Sequence, residues 1–149
     1  MYTSIVVGTD GSPTASLAVN EAARLAKAFD APLHVVSAFR TVPAGAVAYT
    51  AGEPAAAMAM GEWAVDARAA VEEQLEGVAA QLNTAGIAAS TSAVGGDPVD
   101  AILEVAEQQK ADLIVVGNKG MHGARRVLGS VPNSVAHKAA CTVLIVKTS

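Results

Sequence analysis

Gly117, Gly120 and the pair Gly129-Ser130 follow an apolar run, Leu113-Ile114-Val115-Val116, and bracket a basic stretch carrying Lys119, His122, Arg125 and Arg126. Glycine lets backbone approach a ligand closely, and the free amides at a helix start attract anions. A strand that runs into spaced glycines and then into a Gly-Ser helix start is suited to holding phosphates. Two more strand ends carry glycine turns, Gly8-Thr9-Asp10-Gly11 after an apolar run and Gly95-Gly96-Asp97-Pro98 after a weakly alternating one. The chain has no GxxxxGK(S/T) sequence, so it is not a P-loop ATPase, and no GxGxxG after its first strand, which argues against a dinucleotide domain.

The elements that must position these turns follow from the apolar pattern. Residues 4–7 predict a first strand. Ser12 as N-cap and Pro13 at the first helical position predict a helix with Leu17, Glu21, Leu25 and Phe29 at helical spacing and Ala18 and Ala22 beside them, ended by Asp30-Ala31-Pro32. Residues 33–39 predict a second strand. Residues 40–61, with Pro43, Gly45, Gly52, Pro54 and Gly61, read as a long connection, either a functional lid or a flexible insert. A helix over about 62–85, with Val65, Leu75, Val78 and Leu82 inward and Gly86 as its stop, leads to a strand over 87–94. Asp97 caps a helix carrying Val99, Ile102, Leu103 and Ala106; a strand over 113–116, a short helix near 132–139 and a last strand over 142–147 complete the chain.

Strands that are apolar at nearly every position belong to a parallel sheet covered on both faces, and their alternation with helices gives one doubly wound α/β domain, residues 1–149. In such sheets ligands bind beyond the C-terminal strand ends, where the strand order reverses. Which strands are neighbours is open at this point. If the first and fourth are adjacent, two GxxG turns meet there.

Composition narrows the function. Of the 149 residues 52% are hydrophobic but only 3% aromatic, so the core rests on Ala, Val, Leu and Ile. All 14 acidic residues lie at or before Asp112, which leaves the glycine-rich tail with bases alone inside a chain of net charge −4. This favours a local anion site and argues against a general nucleic-acid coat. The single cysteine, Cys141, excludes an internal disulfide and a cysteine metal cage and reads as a buried structural thiol. His34 and His137 have no partner at metal-ligand spacing and read as structural. No apolar run approaches the roughly 20 residues of a membrane span, and the N-terminus has no basic region, so the expectation is a soluble, cytoplasmic protein without a membrane partner.

The pattern resembles the universal stress protein family over nearly the whole chain: a strand ending in a short Asp-containing turn, a Gly-x-Pro turn after the third strand, and the tail Val-Gly-Asn-Lys-Gly…Leu-Gly-Ser-Val-Pro-Asn…Val-Leu-Ile-Val. Nucleotide-binding members share G-x2-G-x9-G-(S/T). Gly117, Gly120, Gly129 and Ser130 occupy it here, with one residue fewer between Gly120 and Gly129 than the common form. The resemblance implies a five-stranded parallel sheet in order 3-2-1-4-5 and binding of ATP or a related adenine nucleotide. It places Thr9 and Asp10 at the nucleoside, Asp10 toward the ribose, and Ala38 at the adenine through its backbone. Val94 would line the base pocket, Gly117 would approach the ribose, and Gly120, Gly129, Ser130 and Val131 would hold phosphates. Pro132 stands where some ATP-binding relatives carry a hydroxyl, which leaves room for AMP or cyclic AMP. The resemblance also implies a homodimer through the last strand, Val143 to Val146.

The remaining residues have plainer readings. Lys119, Arg125 and Arg126 read as solvated charges, His122 as a surface residue, and Trp63 and Met58 as core or interface. No nucleophile–His–acid set and no acidic pair stands beside the glycine loop, so no catalytic residue is assigned. A Mg2+ ion would be held mainly by the nucleotide. The leading expectation is a non-catalytic adenine-nucleotide-binding sensor or regulator of the stress response. A slow ATP hydrolase and a nucleotide-independent interaction protein are the alternatives.

Overall fold

In the computed structural model, residues 1–41, 52–119 and 130–148 are described. They form β1 (Ile5–Gly8), α1 (Pro13–Phe29), β2 (Leu33–Phe39), α2 (Pro54–Thr84), β3 (Ala89–Gly95), α3 (Pro98–Gln108), β4 (Leu113–Gly117), α4 (Ser130–Lys138) and β5 (Thr142–Val146). The strands make one parallel sheet in the order β3-β2-β1-β4-β5, so the expected topology holds. Its direction reverses between β1 and β4.

Two apolar layers sandwich the sheet. Ile5, Val7, Leu33, Val35, Leu113 and Val115 face α1 and α2, while Val6, Val36, Ile114 and Val116 face α3 and α4. Each fully buried Val, Leu or Ile contributes about 1.5–3 kcal/mol relative to exposure, and aliphatic side chains of this kind fill both layers.

α1 begins as expected: the Ser12 hydroxyl accepts a hydrogen bond from Ala15 N at 3.1 Å, and Pro13 occupies the first turn. Its buried stripe differs from the expected one. Ala18, Val19, Ala22 and Ala26 face the sheet, and Leu17 is 47% exposed. Small alanines let the helix axis lie close to the strands, so the larger residues turn to its flanks. Phe29 packs edge-on against Tyr2, with ring centroids 5.4 Å apart.

α2 corrects the expectation more strongly. It starts at Pro54 and runs 31 residues, so residues 54–61, expected in the connection, are helical. At 1.5 Å per residue it is about 46 Å long, about twice the roughly 23 Å that a seven-residue strand spans. Its C-terminal half packs on the sheet through Leu75 and Leu82 and stops at Gly86 (φ +83°). Its N-terminal half outruns the sheet. Val65, expected inward, is therefore 67% exposed, and Trp63 and Met58 lie outside the core as well. The expected lid or insert at residues 42–51 lies outside the described residues.

Near the N-terminus, the Asp112 carboxylate accepts hydrogen bonds from Thr3 N (2.8 Å), Ser4 N (3.1 Å) and the Thr3 hydroxyl (2.9 Å). Those bonds, led by the Ser4 amide, hold its pKa below the usual carboxylate range. They staple the start of β1 to the α3–β4 turn. Asp97 caps α3 as expected, accepting from Val99 N at 2.8 Å. Cys141 is half-buried, and burial pushes its thiol pKa up. His34 is half-buried and hydrogen-bonded to Ser90 on β3; burial lowers its pKa and favours the neutral ring.

Candidate functional site

The sheet register brings the turn after β1 beside Gly117 at the end of β4. Val7 pairs with Val115, so Thr9, two residues on, lies level with Gly117. Gly8 pairs with Val36, which sets Asp10 level with Ala38, and Ala38 in turn pairs with Val94. Thr9, Asp10, Ala38, Val94 and Gly117 thus line one rim, the C-terminal edge of the sheet. The topological switch point lies at its centre.

Local hydrogen bonds shape this rim. Thr9 N donates to Val36 O at 2.9 Å, extending the β1–β2 ladder one residue past β1. The Thr9 hydroxyl accepts from Gly11 N at 3.1 Å, and Asp10 Oδ1 accepts from Ser12 N at 2.9 Å. These bonds curl residues 9–12 into a turn with an exposed carboxylate, and Gly11 adopts the left-handed φ of +78°. β2 continues to Phe39, past its last β1 pair at Val36. The backbone polar groups of residues 37–39 that face β1 therefore have no strand opposite them. Among the described residues, Ala38 thus has no strand paired to its β1 side.

Gly8 and Gly117 are held by packing. A Cβ at Gly8 would stand 2.6 Å from Ile102 Cδ1, and one at Gly117 3.2 Å from Thr148 Cγ2. Beyond Gly117, Asn118 N donates to Val146 O at 2.9 Å, so β4 leaves the sheet tied to β5. Gly120 and Gly129, with His122, Arg125 and Arg126, lie outside the described residues. On the far side of that segment, α4 begins at Ser130, two residues earlier than expected. Ser130 is exposed and Val131 half-buried in its first turn. Pro132 is buried in the same turn, where an amide hydrogen has no intrahelical acceptor in any case. α4 packs against α3 and β5, so its positive end closes the α3 side of the rim.

Sequence reasoning missed the contribution of α2 to this rim. Phe39 carries the Arg68 guanidinium 5.8 Å from its ring centroid, and Arg68 Nε donates to Glu72 at 2.8 Å. The Gln74 carboxamide occupies the space where a side chain on Gly11 would stand. Nothing in the spacing of Arg68 or Gln74 distinguishes them from ordinary solvated helix residues; their place at the rim depends on how the helix packs against β2 and the Gly11 turn. A cavity of about 490 Å³ lies along the β3 edge, lined by Glu72, Leu75, Val94 and Gln108 among others. It shares Val94 with the rim but extends away from the β1–β4 junction. Among the described residues no cluster of three or more His, Cys, Asp or Glu side chains is arranged to hold a metal, and no helix is long and apolar enough to cross a membrane.

A doubly wound parallel sheet with Thr9-Asp10-Gly11 beside Gly117 at its switch point defines an α/β domain of the nucleotide-fold type. Comparison with known proteins makes this specific. Residues 1–147 match the model of the universal stress protein family, and the chain belongs to that family. It is 38% identical over 150 residues to universal stress protein Rv1636 of Mycobacterium tuberculosis, covering 99% of this chain and 98% of that protein. Among solved structures, a universal stress protein in complex with cAMP is 35% identical, with a TM-score of 0.72 over 99% of this chain and 98% of that one. UspA from Lactobacillus plantarum is 25% identical, with a TM-score of 0.80 over 98% of each chain.

Proposed function

We propose that this protein binds an adenine nucleotide across the β1–β4 junction and acts as a nucleotide-responsive regulator in the stress response. The observation that carries the reading is the register that sets Thr9-Asp10-Gly11 beside Gly117 at the switch point, with α4 starting at Ser130 across the same rim. The cAMP bound by the 35% identical structure supports the same ligand class.

In this reading Asp10 holds the ribose, the free backbone edge at Ala38 recognises adenine, and Val94 lines the base. Gly117 lets the ribose approach β4. Gly120, Gly129, Ser130 and Val131 hold phosphate through main-chain amides and the positive end of α4. Pro132 offers no hydroxyl, so ligands with one phosphate, AMP or cyclic AMP, are held as well as ATP. A Mg2+ ion, where ATP carries one, is held by the nucleotide. The role is binding, and any hydrolysis of ATP is slow.

β5 is a sheet-edge strand with half-buried Val143 to Val146, and edge strands of this kind invite pairing. We place the homodimer contact there. Light scattering tests it, and a monomer at high concentration refutes it.

Isothermal titration of the purified protein with ATP, AMP and cyclic AMP tests the nucleotide reading. Saturable binding of at least one is expected, weakened by Asp10→Ala. No heat with any of the three overturns it.

A further inference from the structure

Gln74 lies on α2, 63 residues from Gly11 in sequence, yet its carboxamide takes the place of the side chain that Gly11 lacks. A Cβ built on Gly11 falls onto Gln74 Nε2, with Oε1 only 2.6 Å away. Gly11 serves two needs at once. Its φ of +78° suits glycine, and its missing side chain admits the amide. The helix is fixed at this level by Leu75, which is 1% exposed, so the backbone of Gln74 stands beside the turn and its carboxamide reaches Gly11. Six residues earlier, Arg68 seats the same helix on Phe39 at the end of β2. α2 therefore braces the rim on both sides of the position that Asp10 and Ala38 share.

We infer that Gln74 is a positioning residue of the nucleotide site, acting through Gly11 to hold the Asp10 carboxylate toward a ribose hydroxyl. This rests on the nucleotide reading above and assigns α2 a part in it. Asp10 is exposed, and its turn is fixed otherwise by two local hydrogen bonds, from Ser12 N and Gly11 N. The Gln74 amide closes that turn from above. Removing it frees Gly11, the residue with the widest backbone choice, and lets Asp10 leave the ribose.

The test compares AMP with 2′-deoxy-AMP by isothermal titration for wild type, Asp10→Ala, Gln74→Ala, Gln74→Glu and the double variant Asp10→Ala/Gln74→Ala. Melting temperatures accompany each. The expected wild type prefers AMP. Loss of a hydrogen bond to a charged group weakens binding by about tenfold, so both Gln74 variants lose about that much for AMP and far less for the deoxy ligand. In the double variant the ratio matches that of Asp10→Ala alone, because one residue acts through the other. Gln74 variants that keep the wild-type ratio, whether both affinities hold or fall together, overturn the inference while leaving the nucleotide reading intact. A wild type that binds neither ligand overturns the nucleotide reading itself.

Discussion

Asn118, one residue past β4, holds Thr148, two residues past β5: its Oδ1 accepts from Thr148 N at 2.8 Å and from the Thr148 hydroxyl at 2.9 Å. Thr148 is 6% exposed, so this clasp satisfies a buried amide where the chain leaves β4. Removing the acceptor costs about 1–3 kcal/mol because the donors are left unsatisfied. Asn118→Ala is expected to lower the unfolding free energy measured in urea by that amount, and Asn118→Asp, which keeps an acceptor oxygen, to retain most of the stability. Equal losses for the two would show that the clasp is not the cause.

Gly8 predicts a packing limit. Its missing Cβ is matched by Ile102, whose Cδ1 would lie 2.6 Å and Cγ1 3.1 Å from one. Ile102 is 5% exposed and has little room to yield. Gly8→Val is expected to destabilise by about 1–3 kcal/mol through overpacking, and Ile102→Ala in the same chain to recover part of the loss. A double-mutant cycle by denaturant melts measures the coupling. Strict additivity would show that the two side chains do not meet.

Asp112 gives a dependence on pH. The Ser4 amide, then the Thr3 amide, hold its carboxyl below the usual value. Between the folded value and the unfolded one, about 3.9, the unfolded chain binds more protons, so stability rises with pH across that window. The contribution is complete above about pH 4 by that reference value and is lost as the pH falls through the folded pKa. Asp112→Asn is expected to be less stable at neutral pH and to show a shallower acid decline. An unchanged acid limb in melts from pH 6 to 2 would refute this.

Gly77 offers a gain. It lies inside α2, is exposed, and an added Cβ there meets nothing within 4 Å. Alanine restricts the unfolded chain without a clash, so Gly77→Ala is expected to add up to about 1 kcal/mol and to leave nucleotide titrations unchanged. A lower melting temperature would contradict the open environment around it.

Local chemistry made much of this protein legible in its residues. Ser12-Pro13 and Asp97-Pro98 mark helix starts because a side-chain oxygen can cap the free amides and proline suits the first turn. Gly86 marks a stop because a left-handed residue ends α2. Unbroken apolar runs mark buried parallel strands, since both faces are covered. These signals need only a few neighbouring residues. Helix faces were less legible: the periodic pattern at Leu17 and Val65 is real, but which side meets the sheet depends on where the strands lie and how far they extend. The start of α2 was hidden because alanine and proline, read as a connection, also suit a helix when proline sits in its first turn.

By itself the sequence determined the parallel α/β architecture and the glycine turns at its strand ends, because caps, glycine turns and apolar runs act over a few residues. The tertiary structure alone decided that Thr9 stands level with Gly117, that β2 carries Ala38 past its last β1 pair, and that Gln74 lies on Gly11. Each of these depends on strand register and helix length, which are fixed by packing among segments far apart in the chain.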